Sequence, residues 1–277
     1  MKSLCGSLQI FAVEGAPSLS MTATATEDDM KEMKDCLGLS DDEVVILQAS
    51  PVQAHVKFQT VKRPPNGVGY DGEFDSSGTF KPGLGPLLNV LLLERFISDM
   101  KSGSDPKKAI VFFRTENQMM ACYEYLLEQL PEFDGNKKVI PFVMNHGAVG
   151  EATDKNIVER KDEIKLFLTT SKMIMGVDLK AIQVVIFVRP MNQLQHKVQG
   201  AGRAGRRKPN GTRDRVIVYI LYNSQDLGQN VPGLEDSVRA FCTSQECLKI
   251  PLRIHFDGKA GAGVGSDMSD WCCGNCG

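Results

Sequence analysis

Short continuous apolar runs alternate along the chain with stretches in which apolar residues recur at helical spacing. Residues 109–113 (AIVFF) lie between Lys108 and Arg114, which is the pattern of a strand buried in a parallel sheet. Comparable runs occupy 165–170, 184–188 and 216–221, and residues 117–130 supply the spacing of a crossover helix. This alternation predicts an α/β fold with a parallel sheet.

Weaker patterns add further elements to this sheet. Thr26 is the expected N-cap of a helix whose first turn is acidic and which ends at Gly38. Helical spacing over residues 87–100 predicts another helix. Four more strands are predicted at 18–23, 44–47, 56–61 and 139–144.

Two regions depart from this alternation. Residues 64–86 are rich in glycine and proline without sustained periodicity, which indicates a surface loop or insertion. From Asn223 onward strand signals stop and polar residues increase, and residues 257–270 have the composition of a flexible loop. We therefore place a boundary near Asn223 and interpret residues 224–277 as a small helical module.

The composition is that of an ordinary globular protein, with 277 residues, 42% hydrophobic and 24% charged. The net charge of -2 does not indicate a nucleic-acid binder, but seven basic residues and one acid lie between Lys197 and Arg215. Apolar runs are too short to span a bilayer, and the start of the chain has no signal-peptide pattern. We expect an intracellular protein without membrane contact.

Cysteines are concentrated near the end of the sequence. Cys247, Cys272, Cys273 and Cys276 supply four thiolates, which is the number that a closed structural zinc site needs. Disulfides are not expected in a reducing compartment, so the alternative is a cluster of buried free thiols. Cys242 is an additional cysteine that competes for the first ligand position, and His255 is a less favoured ligand.

The string Gln199-Gly200-Ala201-Gly202-Arg203-Ala204-Gly205-Arg206 is the clearest candidate for phosphate chemistry. Glycines allow the backbone to approach a ligand, and guanidinium groups bind phosphate oxygens in pairs without losing their charge. A solvated basic helix end is the simpler alternative, but it does not account for glutamine at this offset.

This string matches motif VI of superfamily-two helicases, and the chain resembles the RecQ family of DNA helicases. In that family the second arginine of the motif reaches the γ-phosphate of ATP held by the partner domain. The resemblance assigns this catalytic role to Arg206, with Arg203 and Gln199 beside it and Gly202 in the nucleotide site. An arginine finger contributes about 10³–10⁵ in rate.

Residues 168–178 resemble motif V, in which a strand leads into a turn that ends in G-[IV]-D. Gly176 and Asp178 fit that ending, which contacts the nucleotide and DNA in the family. Thr170 and Lys172 are the corresponding DNA-binding candidates. Lys172 and Ile174 depart from the small or aromatic residues usual at their positions, and an ordinary structural loop would give the same pattern.

The string Met21-Thr22-Ala23-Thr24-Ala25-Thr26 resembles RecQ motif III, which couples hydrolysis to DNA movement. The resemblance places Thr22 and Thr24 at DNA, although a threonine-rich strand end followed by a helix cap explains the same residues. The strand that ends at His146 also has a counterpart in the family, and we favour a structural role for this histidine.

The resemblance extends to the cysteines, since RecQ proteins carry a remote cysteine, a turn and then a C-x-N-C cluster. The G-x-x-x-x-G-K-[ST] loop for ATP and the D-E-x-H string for magnesium do not occur in the sequence. The implied organisation is a remnant of the first RecA-like domain at 1–50, a helicase C-terminal RecA-like domain at 51–223, and a zinc-binding module at 224–277. ATP and Mg²⁺ are expected only together with a further ATP-binding domain.

The function implied by the resemblance is part of an ATP-dependent 3'-5' DNA helicase that acts on single-stranded or partly duplex DNA in recombination, repair or replication. The chain alone is expected to hydrolyse ATP negligibly, so whether it is an enzyme stays open. The alternative is a non-catalytic, zinc-stabilised nucleic-acid-binding protein derived from a truncated helicase. An RNA helicase relative is disfavoured by the T-A-T-A-T string and the cysteines, and the family implies the nucleus in a eukaryote.

Overall fold

The central element of the computed structural model is a six-stranded parallel sheet. The structure describes residues 24–47, 49–62, 73–74, 80–81, 93–131, 141–145, 157, 159–170, 179, 181–202, 204–205, 212–262 and 271–276. The strands in these residues are β1 (Val56–Lys62), β2 (Glu73–Phe74), β3 (Phe80–Lys81), β4 (Ala109–Phe112), β5 (Phe142–Asn145), β6 (Leu166–Thr169), β7 (Val184–Phe187) and β8 (Val216–Tyr222).

The sheet has the order β1-β8-β7-β4-β6-β5, and every neighbouring pair is parallel. The strands β2 and β3 form a separate antiparallel pair inside the predicted 64–86 insertion. The prediction of an α/β fold with a parallel sheet is therefore confirmed. The four residues of β4, β6 and β7 are buried on both sides of the sheet, which explains why they appear as continuous apolar runs.

Six α-helices have bounds within the described residues, and all but the first of them pack on the sheet. They are α1 (Glu27–Leu37), α2 (Leu93–Lys101), α3 (Glu116–Gln129), α4 (Leu194–Ala201), α5 (Asp236–Thr243) and α6 (Lys249–Ala262). The helical path of α6 is interrupted at Gly258, whose φ is 63°. A short 3₁₀ helix covers Asp41–Glu43.

Alternate residues along the strands point to two separate apolar clusters. The first face of the sheet is covered by α4, α5 and α6, and its strand residues include Phe58, Phe112, Phe167, Phe187 and Val218. The second face is covered by α2 and α3, and its strand residues include Val111, Phe142, Leu168, Val184 and Ile186. The two-residue period of a strand thus divides the core into two layers.

The helix α1 begins and ends where the sequence predicts. The Asp29 amide donates to Thr26 Oγ1 at 3.1 Å, and the Thr26 amide donates to Asp29 Oδ2 at 2.8 Å, which completes a capping box. Gly38 ends the helix with a left-handed φ of 67°.

The predicted strand at residues 44–47 is wrong. This segment has extended backbone at Val44 but pairs with no strand among the described residues, and Val45 and Leu47 are 86% and 94% exposed. An apolar segment forms a ladder only where a neighbouring strand presents free backbone groups, so its side chains alone did not decide its structure. The predicted strand at 18–23 and the first part of the predicted helix at 87–100 lie outside the described residues.

The segment after Asn223 packs on the sheet rather than standing apart from it. Val238, Phe241, Leu252 and Phe256 lie in the same apolar cluster as the first face of the sheet. The Phe241 ring meets the Phe58 ring of β1 edge-on, with centroids 6.0 Å apart. Within the described residues, no helix combines the length and apolar character needed to cross a membrane.

Candidate functional site

Four cysteine side chains converge beside the outer strand β1. The Sγ atoms of Cys247, Cys272, Cys273 and Cys276 all lie within 4.8 Å of one another. Three of the separations are 3.4 Å (Cys247 to Cys272), 3.9 Å (Cys273 to Cys247) and 3.5 Å (Cys273 to Cys276). A tetrahedral zinc ion with Zn–S bonds of about 2.3 Å holds its sulfurs about 3.8 Å apart, so the cluster has the dimensions of a four-thiolate metal site.

Two chain segments build this cluster. Cys247 lies in the turn that leads into α6, where its carbonyl accepts from the Ile250 amide at 2.9 Å. The other three cysteines lie in residues 271–276, which run beside β1 through a parallel bridge between Cys273 and Phe58. The Gly274 amide donates to the Phe58 carbonyl at 2.8 Å. The cluster is therefore fixed to the sheet as well as to α6.

The knuckle at residues 272–276 is closed by polar contacts of Asn275. Its Nδ2 donates to the Ser244 carbonyl at 2.9 Å and to the Glu246 carbonyl at 2.7 Å. These bonds join the knuckle to the residues just before Cys247. Supporting bonds of this kind hold metal ligands in position.

The surroundings of the sulfurs shift the thiol pKa in opposite directions at Cys273 and Cys272. Burial raises the pKa of Cys273, but the amides of Leu248 and Asn275 and the thiols of Cys276 and Cys247 outweigh it, so its pKa lies below the ordinary value. The Leu248 amide donates to Cys273 Sγ at 3.3 Å. Burial, with the Cys247 thiol second, raises the pKa of Cys272 to about 11.

These observations show that the residues fit a metal ion. Four soft donors are grouped in a closed set, three of them are buried, and a backbone N–H is directed at one sulfur. The two other candidates lie elsewhere. Cys242 Sγ is 3.9 Å from Lys197 Nζ, and the His255 ring packs against Phe256 with centroids 4.8 Å apart. The cluster contains the four cysteines that the spacing predicted.

The glycine–arginine string continues from the helix α4. Gln199 lies on α4, and its Nε2 donates to Thr24 Oγ1 at 2.8 Å. One turn earlier, Gln195 Nε2 donates to Asp29 Oδ2 at 2.5 Å. Two strings that are far apart in the sequence, around Thr24 and around Gln199, are thus in direct contact.

Two glycines of this string are required by packing. A methyl group on Gly200 would lie 2.8 Å from Cζ of Phe187, so the helix α4 can approach β7 only with glycine at this position. Gly205 has a φ of +60°, and a methyl group there would lie 2.5 Å from His55 Cδ2 and 2.8 Å from Val216 Cγ2. Gly202 ends α4, and its amide donates to the Val198 carbonyl at 2.8 Å.

The remaining predicted residues divide into described and undescribed positions. Thr170 directly follows β6 and is half-buried, and its carbonyl accepts from the Thr169 hydroxyl at 3.0 Å. Six predicted residues lie outside the described residues, namely Thr22, Lys172, Gly176, Asp178, Arg203 and Arg206. His146 lies outside them as well.

Lys197 corrects one expectation. Lys197 is the first residue of the local basic stretch that suggested nucleic-acid binding, but its side chain is 0% exposed and its Nζ lies 5.5 Å from the centroid of the Phe241 ring. Burial lowers its pKa to about 8, while Cys242 and Glu235 act in the opposite direction. The sequence contained a signal of this burial. Lys197 shares the spacing of one buried helix face with Leu194, Val198 and Ala201.

His55 and Trp271 belong to the site but were not singled out from the sequence. Trp271 directly precedes Cys272 in the chain. Its indole Nε1 donates to the His55 carbonyl at 2.8 Å. Two cations approach the Trp271 ring, with Arg215 Cζ at 5.2 Å and Lys57 Nζ at 5.8 Å from its centroid. A lone tryptophan next to a cysteine pair was the only available sequence signal.

Comparisons with known proteins agree with this architecture. Residues 89–208 match the family described as helicase conserved C-terminal domain. ATP-dependent DNA helicase RecQ of Bacillus subtilis (strain 168) is 23% identical over 201 residues, which cover 66% of this chain and 30% of that protein. Putative ATP-dependent DNA helicase Q1 of Caenorhabditis briggsae is 23% identical over 255 residues, which cover 88% of this chain and 35% of that protein. The chain thus spans about a third of the length of these relatives.

Solved structures show the same fold. Dbp5 of S. cerevisiae, bound to RNA and ADP BeF3, superposes with a TM-score of 0.51 at 13% identity, over 81% of this chain and 50% of that one. A variant of Dbp5 with the same ligands gives a TM-score of 0.53 at 14% identity, over 87% and 53%. The parallel sheet therefore has a RecA-like fold, which matches that of a helicase C-terminal domain.

Proposed function

We propose that the chain is part of an ATP-dependent 3'-5' DNA helicase, because it matches a helicase C-terminal domain and is similar to RecQ helicases. The observation that carries the proposal is the helicase match over residues 89–208, which includes the entire glycine–arginine string. The proposed substrate is single-stranded or partly duplex DNA, unwound during recombination, repair or replication. In a eukaryotic cell the proposed location is the nucleus.

We propose that ATP and Mg²⁺ bind between residues 51–223 and a second RecA-like domain, of which residues 1–50 are the last part. Arg206 would stabilise charge on the transferring phosphoryl group, and Arg203, Gln199 and Gly202 would form the neighbouring wall. Gly176 and Asp178 would contact the nucleotide from the motif V turn. The contact between Gln199 and Thr24 supports this arrangement, because it joins the motif VI and motif III strings directly.

The proposed DNA contacts are Thr22, Thr24, Thr170 and Lys172. Thr170 lies at the carboxyl end of β6, the edge of a parallel sheet at which α/β proteins bind ligands. Basic residues beyond Gly205 would add contacts to backbone phosphates, which give binding that weakens as salt rises. Lys197 has no part in this surface because it is fully buried.

We propose Zn²⁺ as the ion for the cysteine cluster, with Cys247, Cys272, Cys273 and Cys276 as its ligands. The closed set of four sulfurs leaves no position for a reacting water, so the ion would have a structural role. It would hold residues 271–276 against β1 and α6. The proposed zinc-binding module comprises residues 224–277.

A second candidate function is a non-catalytic, metal-stabilised nucleic-acid-binding protein. The observation that favours it is the four-cysteine cluster, which forms within the described residues without a nucleotide cleft. Both candidates share the metal site and the DNA contacts. They differ in whether a complete nucleotide cleft forms in the working protein.

The test is ATP hydrolysis by the zinc-loaded chain alone and by the chain fused behind an ATP-binding domain of a RecQ relative. We expect no hydrolysis by the chain alone and DNA-stimulated hydrolysis by the fusion. Arg206→Ala should lower the fusion's rate by about 10³-fold or more, as for other arginine fingers. Arg207→Ala is the matched control, since it removes the same charge from the adjacent position, and it should retain most of the rate.

The outcomes separate the two candidates. A fusion that binds DNA but hydrolyses no ATP supports the non-catalytic protein. Equal effects of Arg206→Ala and Arg207→Ala would contradict the assigned finger. Failure of the zinc-loaded chain to bind single-stranded DNA even at low salt would contradict both functions, because each requires backbone-phosphate contacts.

A further inference from the structure

Residues 54–58, which include the first three residues of β1, are attached to the cysteine cluster at several points. Trp271 Nε1 donates to the His55 carbonyl at 2.8 Å, and Lys249 Nζ donates to the Ala54 carbonyl at 3.5 Å. Further along, the Gly274 amide donates to the Phe58 carbonyl at 2.8 Å, beside the Phe58–Cys273 bridge. The three donors, Trp271, Lys249 and Gly274, are each within two residues of one of the four cysteines in the sequence.

The same short segment also supports the glycine–arginine string. The His55 ring lies against Gly205 so closely that a single methyl group at Gly205 would lie 2.5 Å from Cδ2 and 2.7 Å from Nε2. On the other side, a methyl group on Gly205 would lie 2.8 Å from Val216 Cγ2. The Gly205 amide donates to the Ile182 carbonyl at 3.2 Å, which also holds its backbone in place.

We propose that His55 is a positioning residue that couples the four-cysteine metal site to Gly205, and thereby to the backbone that leads into Arg206. The His55 carbonyl accepts two hydrogen bonds, from Trp271 Nε1 and from the Val216 amide at 3.0 Å, so the backbone of His55 is fixed by both neighbours. Metal binding orders residues 271–276, these residues hold His55, and His55 limits the positions open to Gly205.

The contact between His55 and Gly205 is a van der Waals packing contact. His55 Nε2 is buried and forms no hydrogen bond with the described part of the chain, so the ring acts by packing. Close-packed groups transmit small displacements because there is little space to absorb them. Coupling between two sites is reciprocal, so a change at Gly205 must also alter metal affinity.

The first test is hydrogen exchange of the full chain, loaded with Zn²⁺ or stripped by a chelator, followed in peptides that cover residues 200–205. We expect zinc-loaded His55→Ala to retain its metal while exchange at Gly205 becomes about 5-fold faster or more, the lower end of typical couplings. His255→Ala is the matched control, because this histidine is also partly buried with an unpartnered Nε2 but lies on α6. It should leave exchange at residues 200–205 unchanged.

Within the same experiment, metal removal should speed exchange at residues 200–205 in the wild-type chain and add little in His55→Ala. Equal exchange at these residues in wild type and His55→Ala, both loaded with zinc, would overturn the proposal. The inference rests on the metal site proposed above. A chain that binds no metal refutes that site, whereas a chain that binds metal without this coupling refutes only the inference.

The second test measures metal affinity, and the double variant separates the His55 contact from a general loss of stability. Competition with a chromogenic chelator measures Co²⁺ or Zn²⁺ affinity in wild type, Gly205→Ala, His55→Ala and the double variant. The added methyl group displaces His55, so Gly205→Ala should weaken metal binding by about 5-fold or more. In the His55→Ala background the methyl group meets Val216 Cγ2 but no longer the imidazole ring, so the same change should have a smaller effect. Unchanged metal affinity in Gly205→Ala would sink the proposal.

Discussion

The two faces of the sheet are covered in different ways. The second face is closed by α2 and α3 and contains almost only apolar side chains. The first face is closed by α4, α5 and α6 together with the cysteine cluster, and it also encloses the charged side chain of Lys197. Both faces use the same strands, so the difference arises from what packs on them.

The second face contributes mainly to stability, whereas the first face also contains part of the candidate functional site. The second face is an ordinary packed layer in which burial of apolar area supplies the free energy. The first face contains the three buried cysteines of the candidate site, and part of its covering layer depends on cysteines from two distant segments. We therefore expect variants on the two faces to differ in metal dependence more than in the size of their effect on stability.

The largest expected difference in stability is between substitutions of one buried cysteine on each face. Cys273→Ala should abolish tight metal binding and remove most of the metal's contribution to stability, which is about 10 kcal/mol or more in small zinc domains. Cys122→Ala is the control, since Cys122 is equally buried but lies on α3 against the second face, and it should cost about 1 kcal/mol. Urea unfolding with and without a chelator measures both. A chelator response in Cys273→Ala as large as in wild type contradicts the comparison.

The next effect comes from a phenylalanine on each face. Phe241→Ala and Phe142→Ala each remove a ring that is fully buried, and each should lower the free energy of unfolding by about 3–5 kcal/mol. Only Phe241→Ala should also weaken metal binding, because its ring packs on Phe58, which pairs with Cys273. Denaturation midpoints and chelator competition test the pair. Equal metal affinity in both variants would mean that the two layers are independent of the cluster.

The smallest expected effect concerns the buried charge of Lys197. Its pKa in the folded protein is about 8, below the ordinary 10.5, chiefly because of burial. Between these values the unfolded chain binds more protons, so the stability of the wild-type protein rises with pH in this window. Lys197→Met should therefore be more stable than wild type by about 1–3 kcal/mol at pH 7, and the advantage should shrink toward pH 10. Unfolding at several pH values measures it, with Lys197→Arg as the control that keeps the charge. An advantage of the methionine variant that grows with pH would contradict the burial of a charged lysine.

The sequence predicted most of the sheet because its strands are buried on both sides. Runs such as 109–113 and 184–188 are apolar throughout, and this pattern survives without knowledge of their neighbours. Residues 44–47 have a similar apolar composition but form no ladder in the described structure. Pairing depends on a partner strand, which a local pattern does not contain.

For the site, the sequence predicted the residues whose chemistry is unusual in their own neighbourhood. Three cysteines within five residues, and arginines between glycines, are conspicuous from the sequence alone. His55 and Trp271 are not, because their importance comes from contacts with residues far along the chain. Lys197 was assigned to the wrong environment, since a count of charges does not reveal which face of a helix a side chain occupies.

The cysteine-bearing residues 271–276 lie along β1, the terminal strand of the sheet. An uncovered terminal strand offers its amides and carbonyls to any other chain, which is a route to aggregation. In this protein the Phe58 carbonyl is already engaged by Gly274, and the neighbouring backbone is shielded by the same loop. With the proposed metal bound, this loop would also keep the edge of β1 from pairing with other chains, and we expect metal removal to promote aggregation through that edge.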